Sequence, residues 1–270
     1  MMASMIALRK SKAHQTSTKR HFQSALRTRP RINRQYISIP VRNPEIANAR
    51  FQFFQGILNS ESHSTNIDKE LALIIDRSTA LVIVDIQNDF CPGGALPVSD
   101  GDKVVPVLNK YIELFAKAGA PIIFTRDWHP PDHSSFKEQG GPWPPHCVQN
   151  SEGAKFYPSL TVPPEGEIVS KADKKDEAYS FFKGTDLATK LHQRGIKRLL
   201  VGGLATDYCV KETVLDGLKH GFEVFHLDDA SRGVNVHPAD SEQALRAMVA
   251  EGAKRISIRD IAQGLGQGKK

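Results

Sequence analysis

The chain predicts a three-layer α/β/α sandwich around a mainly parallel sheet, and three observations carry that prediction. Apolar runs of strand length alternate with amphipathic stretches of helical length from about Lys69 onward. The runs are near-continuous Val, Ile and Leu, as strands covered on both faces require. Gly119, Gly195 and Gly221 stand where helical periodicity stops, the usual place for a left-handed C-terminal cap.

The elements follow in order. Ala80 to Val84 reads as a buried strand, 104–118 as a helix ended by Gly119, and 121–125 as a second strand, which together make a βαβ unit. A proline-rich stretch, 126–164, lacks periodic apolar pattern, and structureless stretches of that length inside a compact domain are usually functional. Residues 167–170 form a short strand, 185–194 a helix and 197–201 a strand that ends at Gly202-Gly203. A helix from Asp207 to His220, a strand over 223–227, a helix over 238–251 and a strand over 255–258 complete the series. No internal repeat is present.

At 270 residues and 40% hydrophobic content the chain can bury a large core. Its net charge of +6 suggests an acidic partner, but the distribution points elsewhere. Residues 1–44 hold ten Lys or Arg and no acid, so the remainder carries 26 basic against 30 acidic residues. With the basic excess confined to a tail, and no basic-aromatic sheet motif, nucleic acid is not an expected partner. No apolar run approaches the roughly 20 residues that span a bilayer, so no membrane role is expected. Three widely spaced cysteines make no disulfide framework and leave free thiols. The expected organisation is therefore a basic, disordered extension or transit peptide over 1–66, a folded domain over 67–262 and a flexible tail over 263–270. The composition of the extension suggests a mitochondrial or other organelle address, with the cytoplasm as the alternative. A homo-oligomer is compatible with all of this.

In parallel sheets ligands bind beyond the carboxyl ends of the strands, and Asp85, Asp127, Lys171 and Cys209 all lie at or just past such ends. Cys209 falls in the first turn of a helix, where unpaired N–H groups and the helix dipole favour a thiolate. Its alternative reading is a small buried hydrophobe. Asp85 closes an apolar strand, where a carboxylate is costly unless paired; it is either a structural cap or a general base for the thiol. Lys171 is either solvated or an ammonium set between carboxylate and thiol. Asp89 is expected to form a turn.

In Arg126-Asp127-Trp128-His129-Pro130 the proline biases His129 to extended backbone, so Asp127 and His129 project to one side as a chelate. His146, stiffened by Pro144-Pro145, would complete a three-ligand set for one divalent ion, Zn, Mn or Fe. His133 is a further candidate ligand, and Cys147 reads as a packed loop thiol.

The stretches LVIVDIQNDFCPGGALPV, RDWHPPDHSSF, GPWPPHCV, the Lys171 strand end and GLATDYCVKET, in that order over about residues 78–258, resemble the nicotinamidases of the isochorismatase-like cysteine hydrolases. The resemblance implies a catalytic triad of Asp85, Lys171 and Cys209. It implies a metal, zinc first, held by Asp127, His129 and His146 and binding the pyridine nitrogen of nicotinamide. It further implies an oxyanion hole from the backbone N–H groups of Ala205 and Cys209, a cis peptide entering Ala205, and Phe90, Trp143 and Tyr179 beside the substrate ring. The activity implied is hydrolysis of nicotinamide to nicotinate and ammonia through a cysteine acyl-enzyme. Rival readings are an amidohydrolase of the same superfamily acting on a carbamoyl or ureido substrate, and a catalytically silent metal-binding member.

Overall fold

The computed structural model describes residues 75–176 and 178–261. The expected extension over 1–66, the expected tail over 263–270 and both expected domain boundaries, at 67 and 262, lie outside the described residues. Among the described residues six strands form one sheet: β1 (Thr79–Val84), β2 (Ile122–Asp127), β3 (Glu167–Lys171), β4 (Arg198–Leu204), β5 (Glu223–Arg232) and β6 (Lys254–Ile256). Their order is β3-β2-β1-β4-β5-β6, and every neighbouring pair is parallel. The helices are α1 (Val105–Ala118), α2 (Leu187–Gln193), α3 (Lys211–Lys219) and α4 (Asp240–Ala250). The sandwich is as predicted.

Side-chain alternation along β1 explains the layers. Leu81 and Ile83 point to one face, where they pack with Leu108, Ile112 and Phe115 of α1. Ala80, Val82 and Val84 point to the other, against Leu187 and Leu191 of α2, Val214 of α3 and Met248 of α4. Burial of α1 at Leu108, Tyr111, Ile112 and Phe115 is the i, i+3, i+4, i+7 stripe of an amphipathic helix. The helix stops at Gly119, whose φ of +62° lets its N–H reach the Ala116 carbonyl while Ala120 N–H reaches Phe115. Truncating Phe115 to Ala would cost about 3–5 kcal/mol through lost burial and the cavity left behind.

Several boundaries differ from the sequence expectation. β4 does not stop before the glycines but runs through Gly202 and Gly203 to Leu204, with a register shift against β5 between Val201 and Gly203. The two glycines permit close approach rather than breaking the strand. A Cβ on Gly203, which has φ +128°, would stand 2.1 Å from the Val84 carbonyl oxygen of β1. The helix expected from Asp207 begins instead with a wide π-type turn, Thr206–Val210, in which Val210 N–H bonds to the Ala205 carbonyl, and α3 starts only at Lys211. β5 continues to Arg232, and β6 is shorter and earlier than 255–258.

Candidate active site

The register of the sheet assembles the site. Asp127 pairs with Lys171 at the ends of β2 and β3, Val84 pairs with Gly203 at the ends of β1 and β4, and Asp85 and Ala205 follow directly. Residues distant in sequence thus meet along one rim. Lys171 Nζ lies 3.4 Å from Cys209 Sγ and 2.9 Å from Asp85 Oδ2, and it is also hydrogen-bonded to Asp127 Oδ1. Asp85 and Lys171 are fully or almost fully enclosed, and Cys209 is 6% exposed. The second Asp85 oxygen, Oδ1, accepts from Thr125 Oγ1 at 2.6 Å. Asp85 holds a left-handed backbone, φ +51°, a conformation that costs a non-glycine residue of order 1 kcal/mol or more and persists where its surroundings over-determine it. The peptide between Leu204 and Ala205 is cis.

Burial dominates the electrostatics. It pushes the Asp85 carboxyl up, against the pull of Lys171 and aided by Asp127, to about 6. Burial also opposes the Lys171 charge, but Asp127 and Asp85 outweigh it and hold the ammonium well above the usual lysine range. For Asp127 burial works upward too, and Lys171 overcomes it, so this carboxylate stays ionised. Cys209 departs from the sequence expectation of a favoured thiolate. Burial, with Asp85 and Asp127 nearby, raises the thiol well above its ordinary value despite Lys171. The turn's dipole and the ammonium are outmatched, so the resting sulfur keeps its proton and needs a base.

Asp127 also belongs to a second cluster. Donor atoms of Asp127, His129 and His146 lie within 4.8 Å of one another, all three residues being buried. His129 Nδ1 faces the Ala172 carbonyl at 3.3 Å and His146 Nδ1 the Pro144 carbonyl at 2.8 Å. A carbonyl only accepts, so each Nδ1 carries the proton and each Nε2 keeps its lone pair. His129 Nε2 is buried without a hydrogen-bond partner, 3.6 Å from Asp127 Oδ2. An orphaned lone pair facing a carboxylate and a second imidazole suits a divalent cation and costs free energy otherwise. His133 stacks on His129 with ring centroids 4.0 Å apart, but its nitrogens face Ser135 Oγ at 2.7 Å and the Asp176 carbonyl at 3.3 Å, and it stands outside the three-ligand cluster. Cys147 is a fully buried loop thiol, as expected.

Phe90 packs on His146 at 5.5 Å between centroids. Trp143 Nε1 donates to Tyr179 Oη at 3.1 Å, and both rings pack against Tyr208, at 5.2 and 5.7 Å. Tyr208 escaped sequence reasoning, although it sits directly before Cys209. Phe136 escaped it too: its ring stands edge-on among His129, His133 and His146. Thr125 could have been found as the β2 neighbour of a strand-end Asp. Asp89, expected to shape a turn, lies in the short 3-10 turn Asn88–Phe90 and also ties two loops, accepting from Ala95 N–H at 3.1 Å and Cys147 N–H at 2.7 Å.

A parallel α/β sheet with a thiol, an ammonium and carboxylates gathered at its carboxyl rim defines a class of protein that acts on a small ligand at that rim. The comparisons make the class specific. Residues 79–260 match the isochorismatase domain family, and the chain belongs to that family. The nicotinamidase of Escherichia coli is 41% identical over 203 residues, 67% of this chain and 95% of that protein. The crystal structure of Pyrococcus horikoshii pyrazinamidase in complex with zinc is 53% identical, covers 67% of this chain and 99% of its own, and superposes with a TM-score of 0.64. That of PnC1 from L. infantum in complex with nicotinate is 32% identical, covers 70% and 98%, and gives 0.65.

Proposed function

We propose that this chain hydrolyses nicotinamide to nicotinate and ammonia, with Cys209 as nucleophile. The single observation that carries the reading is the chain of contacts Cys209–Lys171–Asp127 beside His129 and His146, which joins a buried thiol to a cation cage through one carboxylate. The likeness to nicotinamidases over nearly their full length supports the same substrate.

Asp85 takes the Cys209 proton as Sγ bonds to the carboxamide carbon, and Lys171 holds the developing charges together. The carbonyl oxygen becomes an oxyanion facing the backbone N–H groups of Ala205 and Cys209. Asp85 returns its proton to the amide nitrogen, the C–N bond breaks, and ammonia leaves a thioester. Asp85 next deprotonates a water that adds to the thioester carbon. The C–S bond breaks, Asp85 returns the proton to sulfur, and the acid product departs. A raised Asp85 pKa suits a group that must accept and release a proton in turn.

Phe90, Trp143 and Tyr179 flank the pyridine ring in this reading, and Asp127, His129 and His146 hold one divalent cation, for which we infer zinc. When bound, that cation supplies a Lewis-acid anchor for the ring nitrogen. The test is ammonia release from nicotinamide by purified protein, by Cys209→Ala and by chelator-treated protein. Release abolished by the substitution, abolished by chelation and restored by Zn2+ is the expected result; no release by zinc-loaded wild type overturns the reading.

A further inference from the structure

Two of the three cage ligands are held by side-chain bonds in addition to their own backbone setting. Asp127 is the last residue of β2, and His146 lies in the long loop before a left-handed residue, Cys147, at φ +46°. The segment after Asp85 reaches both. Gln87 is fully buried, and its side-chain amide mimics a strand partner for Asp127. Oε1 accepts from Asp127 N–H at 2.7 Å, and Nε2 donates to the Asp127 carbonyl at 2.8 Å and to the Ala154 carbonyl at 2.9 Å. Every donor and acceptor used by Gln87 is thus a backbone group, and two of the three belong to one ligand. Two residues on, Asp89 Oδ2 accepts the Cys147 N–H at 2.7 Å, immediately beyond His146, while Oδ1 binds Ala95 N–H.

Close packing seals this arrangement. Asp89 N–H bonds to the Gly153 carbonyl, and a Cβ on Gly153 would stand 2.0 Å from Asp89 Oδ2. Asn88 Nδ2 donates to the Glu152 carbonyl at 2.8 Å, and its N–H to the Lys155 carbonyl. The loop 152–155 is thereby pressed onto the segment. Strained backbone such as that at Cys147 persists only where neighbours over-determine it, and Asp89 supplies the bond that does so.

We propose that Gln87 and Asp89 are positioning residues for the cation cage: Gln87 sets Asp127 and Asp89 sets His146, so the short segment after Asp85 aligns cage and triad together. The proposal rests on the cage reading above. It makes two residues that touch neither thiol nor cation responsible for cation affinity, as outer partners of metal ligands generally are.

The test measures Zn2+ affinity of the full chain by competition with a chromophoric chelator, together with the Co2+ absorption spectrum and the unfolding midpoint of the metal-free protein. Gln87→Met keeps length and removes all three bonds. Asp89→Asn keeps an acceptor for Ala95 and opposes the Cys147 N–H with an amide N–H. Asn109→Ala is the structural control, since Asn109 also makes two side-chain-to-backbone bonds, to Ser159 and Thr161, but away from the cage. Gln87→Met and Asp89→Asn are each expected to weaken Zn2+ binding by about 10- to 100-fold and to alter the Co2+ bands. Asn109→Ala is expected to lower the midpoint with affinity unchanged. Should Gln87→Met not fold, Asp89→Asn carries the test by the same criterion. Wild-type affinity and spectrum in the folded variants overturn the positioning role, whereas a wild type that binds neither Zn2+ nor Co2+ overturns the cage itself.

Discussion

The triad and the cage share Asp127 yet are built differently. Asp85, Lys171 and Cys209 sit at or just beyond strand ends, and the sheet's register places them. His129 and His146 lie in the stretch after β2, where one isolated backbone bridge, His129 N–H to the Cys147 carbonyl and Gln149 N–H to the His129 carbonyl, is supplemented by side chains: Gln149 Nε2 donates to the Trp128 and Asp173 carbonyls at 2.9 and 3.1 Å. Side-chain clamps are individually worth about 1 kcal/mol, against the cooperative ladder that fixes a strand. In the proposed reaction a rigid rim supplies the reacting groups, and a stitched loop supplies the group that orients what reacts with them.

The two regions separate most completely at the nucleophile. Cys209→Ala should lower turnover by about four to six orders of magnitude, as loss of a nucleophile generally does, while leaving Zn2+ affinity intact. Steady-state ammonia release and chelator competition measure the two halves separately. Lys171→Met strikes the joint between them. It leaves Asp85 and Asp127 buried without their cation, so stability should fall by about 3–5 kcal/mol in denaturant titration, with activity lost alongside.

Chelation sharpens the contrast. Amide exchange should accelerate in 128–150 and stay slow in β1 and β4, because only the loop depends on the cage; equal acceleration in both would erase the distinction. With the cage kept saturated with zinc, the pH profile reports the triad. Asp85 must be ionised to take the thiol proton, and its pKa is raised to about 6, so kcat/KM should fall about tenfold per pH unit below that midpoint and level off above it. The smallest effect is expected at Gln149. Gln149→Leu removes two bonds at a half-buried site and should weaken Zn2+ binding by about tenfold or less, with kcat unchanged in the zinc-loaded enzyme.

Strand-borne features were legible in the sequence because period and composition encode them locally. β1, α1 and β2, and the rim positions of Asp85, Asp127 and Lys171, follow from apolar runs and their ends. The approach of Asp127 and His129 was legible because Pro130 biases the backbone of His129 to an extended form. What escaped depends on partners distant in sequence. Nothing near Gln87 says that its amide will meet Asp127, and Gly202-Gly203 looks like a break until β1 is seen pressing on Gly203. Cys209 was misread for the same reason. A helix start favours a thiolate locally, but the two carboxylates and the burial that oppose it come from β1, β2 and the folded core.

The most direct measurement is to quench the protein with acid during nicotinamide turnover and map the trapped adduct by peptide mass spectrometry. The account predicts a nicotinoyl thioester on the peptide carrying Cys209 and on neither Cys91 nor Cys147. Ammonia released at full rate with no adduct on Cys209, or with the adduct on another residue, would contradict it.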